Sequence, residues 1–171
     1  MWGNSVTQEG FKRKLTAILS ADVVGYSRLM DDNEEATVRT LNIYRDSMKA
    51  LIQQDRGRVV DATGDNLLAE FTSVVDALNC SVKIQHELDK RNADLSSERI
   101  MAFRIGVNVG DVIEEEDRIY GDGINIAARV EALAEAGGIC ITGRAYDHAK
   151  INLNLVINIL ENTVLRISRS R

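Results

Sequence analysis

The sequence contains no proline, and only two cysteines and two histidines among its 171 residues. Cys80 and Cys140 have no second cysteine or histidine cluster nearby, which argues against a metal motif and a disulfide framework. We therefore expect two buried thiols in a reducing compartment. His86 and His148 are isolated as well, which favours packing or surface roles over catalysis. We attach no function to the absence of proline.

Long apolar runs are absent too. No stretch reaches the length of a membrane helix and the N-terminus lacks a signal-peptide pattern, so we expect a cytoplasmic protein without a membrane segment. Acidic side chains outnumber basic ones by 26 to 21, for a net charge of −5. This balance argues against a nucleic-acid polymer as partner, because proteins that bind one are usually basic. The length and the 44% apolar content fit one globular domain.

What is present is a series of regular apolar patterns. Residues 14–27 begin with a β-rich run that ends at Asp22, and helical spacing predicts a helix over 33–54 with Asn33 as its N-cap. The acidic run at 114–117 is expected to be a solvated loop. The remaining segments, in chain order, are a hairpin over 57–71, a helix over 73–92, a strand over 100–115, a helix over 122–138, a strand over 139–142, a helical turn over 143–150 and a last strand over 153–160.

This order of elements mixes hairpins with helices. It predicts an α+β fold with a ferredoxin-like core, in which a mainly antiparallel sheet has its helices packed on one face. Residues 1–13 are polar with scattered aromatics, and we expect an N-terminal arm or linker there. Residues 14–171 are expected to form the domain.

Two aspartates stand where predicted strands end. Asp22 closes the first strand, and Asp65 lies at the turn of the hairpin in "VVDATGDNLLAEF". If the two strands are neighbours, both carboxylates converge at one sheet edge, and such hard oxygen ligands suit Mg²⁺ or Mn²⁺. Two such ions can activate a hydroxyl group and hold a leaving triphosphate. Spacing alone favours the simpler alternative, that each aspartate is a turn residue.

A second candidate lies in "YGDGINIAARVEALAEAGG". The glycine-containing loop before the predicted helix offers backbone N–H groups to an anion. Asn125 and Arg129 are four residues apart and therefore share one helix face. An amide and a guanidinium on one face suit a sugar oxygen and a phosphate whose charge grows during reaction. Taken alone, the pattern fits an exposed helix with a solvated arginine better.

Four segments taken together resemble the catalytic domain of class III nucleotidyl cyclases, over about residues 14–142. They are "ADVVGYSRLM", "TGDNLLAEF", "FRIGVNVGDV" and "YGDGINIAARVEALAEAGGICIT". Four motifs in the right order are far more specific than one glycine motif. The resemblance implies a ferredoxin-like fold and a head-to-tail homodimer with active sites at the interface. It also implies conversion of a nucleoside triphosphate, ATP or GTP, to the 3′,5′-cyclic nucleotide and pyrophosphate.

The resemblance assigns roles by motif position. It implies two Mg²⁺ or Mn²⁺ ions per site, held by Asp22, Asp65 and the backbone carbonyl of Val23. Asn125 matches the asparagine that orients the ribose, and Arg129 matches the arginine that stabilises the phosphate. In a homodimer, the aspartates of one chain meet the Asn/Arg pair of the other, which explains why neither half looks catalytic by itself.

Two departures from the family pattern concern substrate binding. The lysine that usually selects adenine is replaced by Asp61, and its usual Asp or Thr partner by Arg118. Reversed charges predict relaxed or guanine-leaning selectivity; the alternative is an Asp61–Arg118 salt bridge that fills a pocket no longer reading the base. The usual triphosphate-binding lysine near the C-terminus is also missing, and Arg166 or Arg169 could replace it.

The preferred hypothesis is an active homodimeric cyclase of intracellular signalling, because the metal pair and the Asn/Arg pair are both retained. An inactive cyclase-homology module, which dimerises and binds nucleotide to regulate an attached domain, is the main alternative. A phosphotransferase or polymerase-like palm domain shares the fold and the carboxylates, but it does not predict the helix with Asn125 and Arg129. Such cyclase domains often occur as one module of a larger protein.

Overall fold

The computed structural model describes residues 11–150 and 165–168. The strands and helices within these residues follow one another in an order close to the predicted one. They are β1 (Lys12–Val23), α1 (Tyr26–Asp32), α2 (Glu34–Gln54), β2 (Gly57–Asp61), β3 (Leu67–Phe71), α3 (Val74–Asn92), β4 (Phe103–Glu115), β5 (Arg118–Tyr120), α4 (Asp122–Glu131), β6 (Ile139–Thr142), α5 (Gly143–Ala149) and β7 (Leu165–Ser168).

The strands form a single mixed sheet in the order β2-β3-β1-β4-β6-β7, with β5 paired to β4. The central strand β1 is antiparallel to both of its neighbours, β3 and β4. The pairs β2–β3 and β4–β5 are antiparallel as well, whereas β6 and β7 extend the sheet in parallel. The predicted α+β fold with a mainly antiparallel sheet is confirmed.

One face of the sheet carries the main hydrophobic core. Successive side chains of a strand point to opposite faces, and on this face alternate residues of β1, β3 and β4 pack against α2, α3 and α5. The largest fully buried side chains include Phe71 and Phe103 from the sheet and Met48, Ile52 and Ile84 from the helices. Helical spacing in the sequence therefore marked the sides of α2 and α3 that are buried.

The second face of the sheet is covered by α4. There Ile18, Val112 and Ile119 form a smaller cluster with Ala127 of the helix. Gly106 of β4 allows this contact, because a Cβ atom at that position would lie 2.4 Å from the carbonyl oxygen of Ala127. The predicted packing on one face therefore holds for α2, α3 and α5, while α4 lies on the opposite face.

Gly106→Ala should destabilise the fold, because the added methyl group meets the backbone of α4 and must push the helix outward. Overpacking of this kind costs about 1–3 kcal/mol. Gly110→Ala is the matched control on the same face of β4, since its Cβ would lie at 3.2 Å from the nearest atom, the Cα of Gly123. Denaturant unfolding of both variants should give the larger loss for Gly106→Ala; equal losses would contradict the close contact.

The first helix, α1, was not predicted from the sequence. Gly25 adopts a left-handed conformation, with φ of 67°, and turns the chain from β1 into α1. Asn33 then ends α1, because its backbone N–H donates to the carbonyl of Leu29. The side chain of Asn33 accepts a hydrogen bond from the N–H of Ala36, so the predicted N-cap of α2 is confirmed.

Two further boundaries differ from the prediction. The expected loop at 114–117 includes a tight turn, with Glu116 at φ of 54°, that joins β4 to the unpredicted strand β5. Helix α4 ends at Glu131 instead of residue 138. Beyond the helix, the N–H of Gly137 donates to the carbonyl of Phe103, and the N–H of Ile105 donates to the carbonyl of Gly138, so this segment is hydrogen-bonded to β4. Tertiary hydrogen bonds therefore end a helix that the sequence pattern would continue.

Other predictions concern single residues and the chain ends. Cys80 and Cys140 are buried and are not joined by a disulfide, as expected. Burial raises the pKa of the Cys80 thiol to about 12, so it is unreactive at neutral pH. The strand predicted over 153–160 lies outside the described residues, and so does most of the N-terminal arm. In the described ranges, no helix has the length and apolar character needed to cross a membrane.

Candidate active site

Asp22 and Asp65 lie at the same end of the sheet. Asp22 is the next-to-last residue of β1, and Asp65 lies in the turn before β3, whose Leu67 is paired with Ala21 of β1. The backbone N–H of Val23 donates to Oδ2 of Asp65, with an N···O distance of 3.3 Å. The antiparallel pairing of β1 with β3 thus brings together the two carboxylates that the motifs singled out.

A residue of α2 is hydrogen-bonded to the turn that carries Asp65. The guanidinium of Arg45 donates to the carbonyl of Gly64 and to that of Asn66, the latter at 2.9 Å. Gly64 is in the left-handed region, with φ of 59°. Arg45 was not predicted as a site residue, because its role depends on where α2 packs against the hairpin.

The donor set at this end of the sheet fits a hard divalent cation. Asp22 and Asp65 offer carboxylate oxygens, and Val23, which follows Asp22, offers a backbone carbonyl. Within the described ranges no cluster of three or more His, Cys, Asp and Glu side chains is arranged to hold a metal. Proteins usually bind Mg²⁺ through one or two carboxylates, and water and substrate phosphates complete the coordination. The residues present therefore fit Mg²⁺ or Mn²⁺ whose remaining ligands are water or phosphate oxygens.

Arg104 is the partner of Asp22. The two residues face each other in the β1–β4 register, and Nε and Nη2 of Arg104 donate to the carboxylate oxygens at 3.2 and 3.1 Å. These hydrogen bonds raise the pKa of the Arg104 guanidinium, which stays charged. The sequence motif "FRIGVNVGDV" contains Arg104, but only the strand register shows that it neutralises Asp22.

Glu131 is a buried acid beside this ion pair. It lies at the end of α4 with a side chain that is 4% exposed, and Ser20 Oγ donates to its Oε2 at 3.0 Å. Burial, and then the nearby Asp22 carboxylate, raises the pKa of Glu131 to about 8. Sequence patterns did not single it out, because a glutamate near a helix end is usually exposed.

Asn125 and Arg129 lie one turn apart on α4 and are exposed. Within the described part of the chain neither side chain forms a hydrogen bond or an ion pair, so both are available to a ligand. The start of α4 is fixed by buried Asn108, whose Nδ2 donates to the carbonyl of Gly123 at 3.0 Å. Thr142 Oγ1 in turn donates to Oδ1 of Asn108 at 2.9 Å. Asn108 thereby ties the start of α4 to the end of β6.

Two open cavities flank α4. The cavity of about 780 Å³ is lined by Asp61, Arg118 and Asn125, among others. The lining of the other cavity, of about 1030 Å³, includes Arg129. Neither includes Asp22 or Asp65 in its lining. One chain therefore brings the two base-selecting candidates into the same cavity as Asn125, and the metal-type carboxylates line neither of the two cavities.

Asp61 helps to shape the hairpin turn. Its Oδ1 accepts hydrogen bonds from the N–H of Ala62 at 2.8 Å and from Oγ1 of Thr63 at 2.7 Å. Among the described residues, no ion pair joins Asp61 to Arg118, although both line the same cavity. The salt bridge that was the alternative to base recognition is therefore not formed in this structure.

Of the two C-terminal arginines, Arg166 lies in β7 and Arg169 falls outside the described residues. Arg166 is exposed and is paired with Cys140 of β6. Cys140 packs against Val130 and Ala134, so this register position belongs to the α4 side of the sheet. A role for Arg166 in phosphate binding stays a prediction.

Comparison with known proteins places this arrangement in a family. Residues 12–165 match the model of the adenylate and guanylate cyclase catalytic domain. The chain belongs to this family. The resemblance stated from the four motifs is thereby confirmed, and the match spans every residue of the candidate site except Arg166 and Arg169.

The cyclase domain is also similar to individual relatives. It is 40% identical over 154 residues to "Putative adenylate cyclase 3" of Rhizobium meliloti (strain 1021), covering 88% of this chain and 26% of that protein. The chain thus spans about a quarter of the length of that relative. Its fold matches an adenylate/guanylate cyclase/hydrolase crystal structure from Silicibacter pomeroyi, with a TM-score of 0.78, 38% identity and 84% of each chain covered. The guanylyl cyclase Cya2 matches with a TM-score of 0.72 and 26% identity, over 82% of this chain and 80% of the other.

Proposed function

We propose that this cyclase domain converts a nucleoside triphosphate to its 3′,5′-cyclic nucleotide and pyrophosphate, at sites shared between two copies of the chain, in intracellular signalling. The observation that carries the proposal is that Asp22 and Asp65 line neither of the two cavities that contain Asn125 and Arg129. Asp22 and Asp65 meet at the end of β1, whereas Asn125 and Arg129 are exposed and unpaired within the described residues on α4. A second copy, placed head to tail, supplies each half with the other.

The net reaction needs few groups from the protein. The 3′ oxygen of the ribose forms a bond to the α-phosphorus. The bond between the α-phosphorus and the oxygen that bridges the α- and β-phosphates breaks, and pyrophosphate leaves with the electron pair of that bond. The 3′-hydroxyl proton is released to water. Asn125 orients the ribose by hydrogen bonds, and Arg129 stabilises the negative charge that grows on the phosphate.

Asp22, Asp65 and the carbonyl of Val23 are the residues that would hold the divalent cations. When bound, such ions would activate a hydroxyl group and neutralise the leaving pyrophosphate. Arg104 is bound to Asp22, at N···O distances of 3.1 and 3.2 Å. These two hydrogen bonds hold the carboxylate of Asp22 in place.

The activity is tested by incubating the protein with ATP and with GTP, each with Mn²⁺ and with Mg²⁺, and by identifying the products by mass spectrometry. A 3′,5′-cyclic nucleotide and pyrophosphate in equal amounts support the proposal. Nucleotide binding without any product contradicts it and favours the regulatory module instead.

We further propose that Asp61 and Arg118 read the purine base. An aspartate at this position can accept from the N1–H of guanine, and an arginine can donate to O6, whereas adenine offers a lone pair at N1. Two facts support the assignment: both residues line the cavity that also includes Asn125, and no ion pair between them occupies their charges. The names of the relatives include both adenylate and guanylyl cyclases, so they do not decide the base.

The Asp61→Lys/Arg118→Asp double variant should lower the ratio of GTP to ATP catalytic efficiency by about tenfold or more, because a buried polar group without a partner costs about 1–3 kcal/mol. Steady-state kinetics with both nucleotides measure the ratio. Asp61→Asn is the control for the turn, since its amide oxygen still accepts from Ala62 and Thr63. An unchanged ratio in the double variant, or a strong preference of the natural protein for ATP, would exclude base reading by this pair.

A further inference from the structure

Glu131 is a buried acid that the proposed chemistry does not use. It lies two residues beyond Arg129 on α4, yet its carboxyl group faces β1, where Ser20 Oγ donates to Oε2 at 3.0 Å. Its side chain is 4% exposed, compared with 25% for Asp22. The carboxyl group is thus a fixed part of the sheet end that carries Asp22.

Gly106 explains how the end of α4 comes so close to the sheet. It is paired with Ser20 in the β1–β4 register, and a Cβ atom there would lie 2.4 Å from the backbone nitrogen of Glu131. Because Gly106 has no side chain, the last turn of α4 rests directly on β4. This contact places Glu131 Oε1 at 3.8 Å from Nη2 of Arg104.

Arg104 therefore has two carboxyl groups beside it, those of Asp22 and Glu131, and these two groups also contact each other. It donates to Asp22 through Nε and Nη2, and its Nη1 donates to the carbonyl of Ala132 at 3.4 Å. Glu131 is its second acidic neighbour. A cation that binds Asp22 repels the guanidinium, since like charges in a partly buried site interact strongly. Movement toward Glu131 lets the guanidinium leave Asp22 and still keep a carboxyl oxygen within reach.

We propose that Glu131 is a positioning residue of the metal site, which holds Arg104 so that Asp22 can exchange the guanidinium for a divalent cation. The inference rests on the proposed function. Helix α4 supplies Asn125 and Arg129 to one active site of the dimer, but Glu131 on the same helix acts on Asp22, which serves the other active site.

Metal binding tests the inference without turnover. Mn²⁺ binding is measured by electron paramagnetic resonance of the free ion, in the presence of a 3′-deoxynucleoside triphosphate, which lacks the attacking hydroxyl. Glu131→Leu should raise the dissociation constant of Mn²⁺ by about tenfold, as is typical when a residue that orients a metal ligand is lost. Glu131→Gln keeps an oxygen for Ser20 and Arg104 and should bind Mn²⁺ normally. Glu135→Leu, at an exposed position four residues further along the chain and beyond the end of α4, is the matched control.

A second variant covers the case in which Glu131→Leu does not fold. Ser20→Ala removes only the hydroxyl group that anchors Glu131, and it should weaken Mn²⁺ binding in the same direction by a smaller factor. Normal Mn²⁺ binding by folded Glu131→Leu protein overturns the inference. If that protein is unfolded, normal binding by Ser20→Ala overturns it instead.

Mixing of subunits identifies the half-site on which Glu131 acts. A mixture of Glu131→Leu with Arg129→Ala has one complete site, whose metal half comes from the Arg129→Ala chain, so its Mn²⁺ requirement should be normal. In a mixture of Glu131→Leu with Asp22→Ala, the mixed dimer keeps one site, whose metal half comes from the Glu131→Leu chain. This site should need more Mn²⁺. Equal requirements, or the reverse order, contradict the inference. If neither mixture exceeds the activity of its Glu131→Leu homodimers although subunits exchange, the shared site itself is wrong, and the Mn²⁺-binding measurement still decides the role of Glu131.

Discussion

Asp65→Ala should lower cyclase turnover by about a hundredfold or more, with little loss of the folded state. A bound metal ion contributes several kcal/mol to the stabilisation of transition-state charge, and 1.36 kcal/mol corresponds to a factor of ten in rate. The folded state loses one hydrogen bond, from the N–H of Val23 to Asp65, which costs about 1 kcal/mol. Turnover is measured at saturating nucleotide over a range of Mn²⁺ concentrations, and stability by thermal unfolding.

Two control variants separate charge from structure in this experiment. Asp65→Asn keeps an oxygen that accepts from Val23 but removes the charge, so turnover should fall as far while stability is retained. Asp89→Ala removes an exposed aspartate of α3 and should change neither quantity. Turnover of Asp65→Ala at the natural rate would show that the carboxylate is not a metal ligand.

Asp22→Ala and Arg129→Ala should each be nearly inactive, and a mixture of the two should recover activity. In the mixed dimer one site carries both lesions and the other carries neither. Random exchange at equal concentrations makes about half of the dimers mixed, so about a quarter of the natural activity is expected for a two-fold symmetric dimer. The recovery is followed by cyclic-nucleotide formation after subunit exchange, with exchange itself monitored by native mass spectrometry.

A mixture of Asp22→Ala with Asp65→Ala is the control for this experiment. Both lesions lie in the metal half, so each site of the mixed dimer receives a damaged half and the mixture should stay inactive. Activity in this control would place the two aspartates in different half-sites. An inactive Asp22→Ala/Arg129→Ala mixture, with exchange demonstrated, would rule out sites shared between chains.

The sequence was sufficient to predict the fold class and the family. The helical spacing of residues in α2 and α3, such as Leu41, Met48 and Ile84, matches the side that is buried. Periodicity of this kind arises from local backbone geometry, which the sequence encodes directly. The residue types Asp22 and Asp65, and the spacing of Asn125 and Arg129, are likewise visible without any structure, so the candidate half-sites could be named at once.

Only the tertiary structure determined which side chains surround those residues. Arg104 pairs with Asp22 because β4 lies beside β1 in one particular register, and a shift by one residue would turn it to the other face. Helix α4 ends at Glu131 because the residues after it bond to β4, although the apolar pattern continues. Glu131 is buried beside Arg104 because Gly106 has no side chain, which lets α4 pack closely against β4. Strand register and close backbone approach depend on partners distant in sequence, so a single sequence read locally does not specify them.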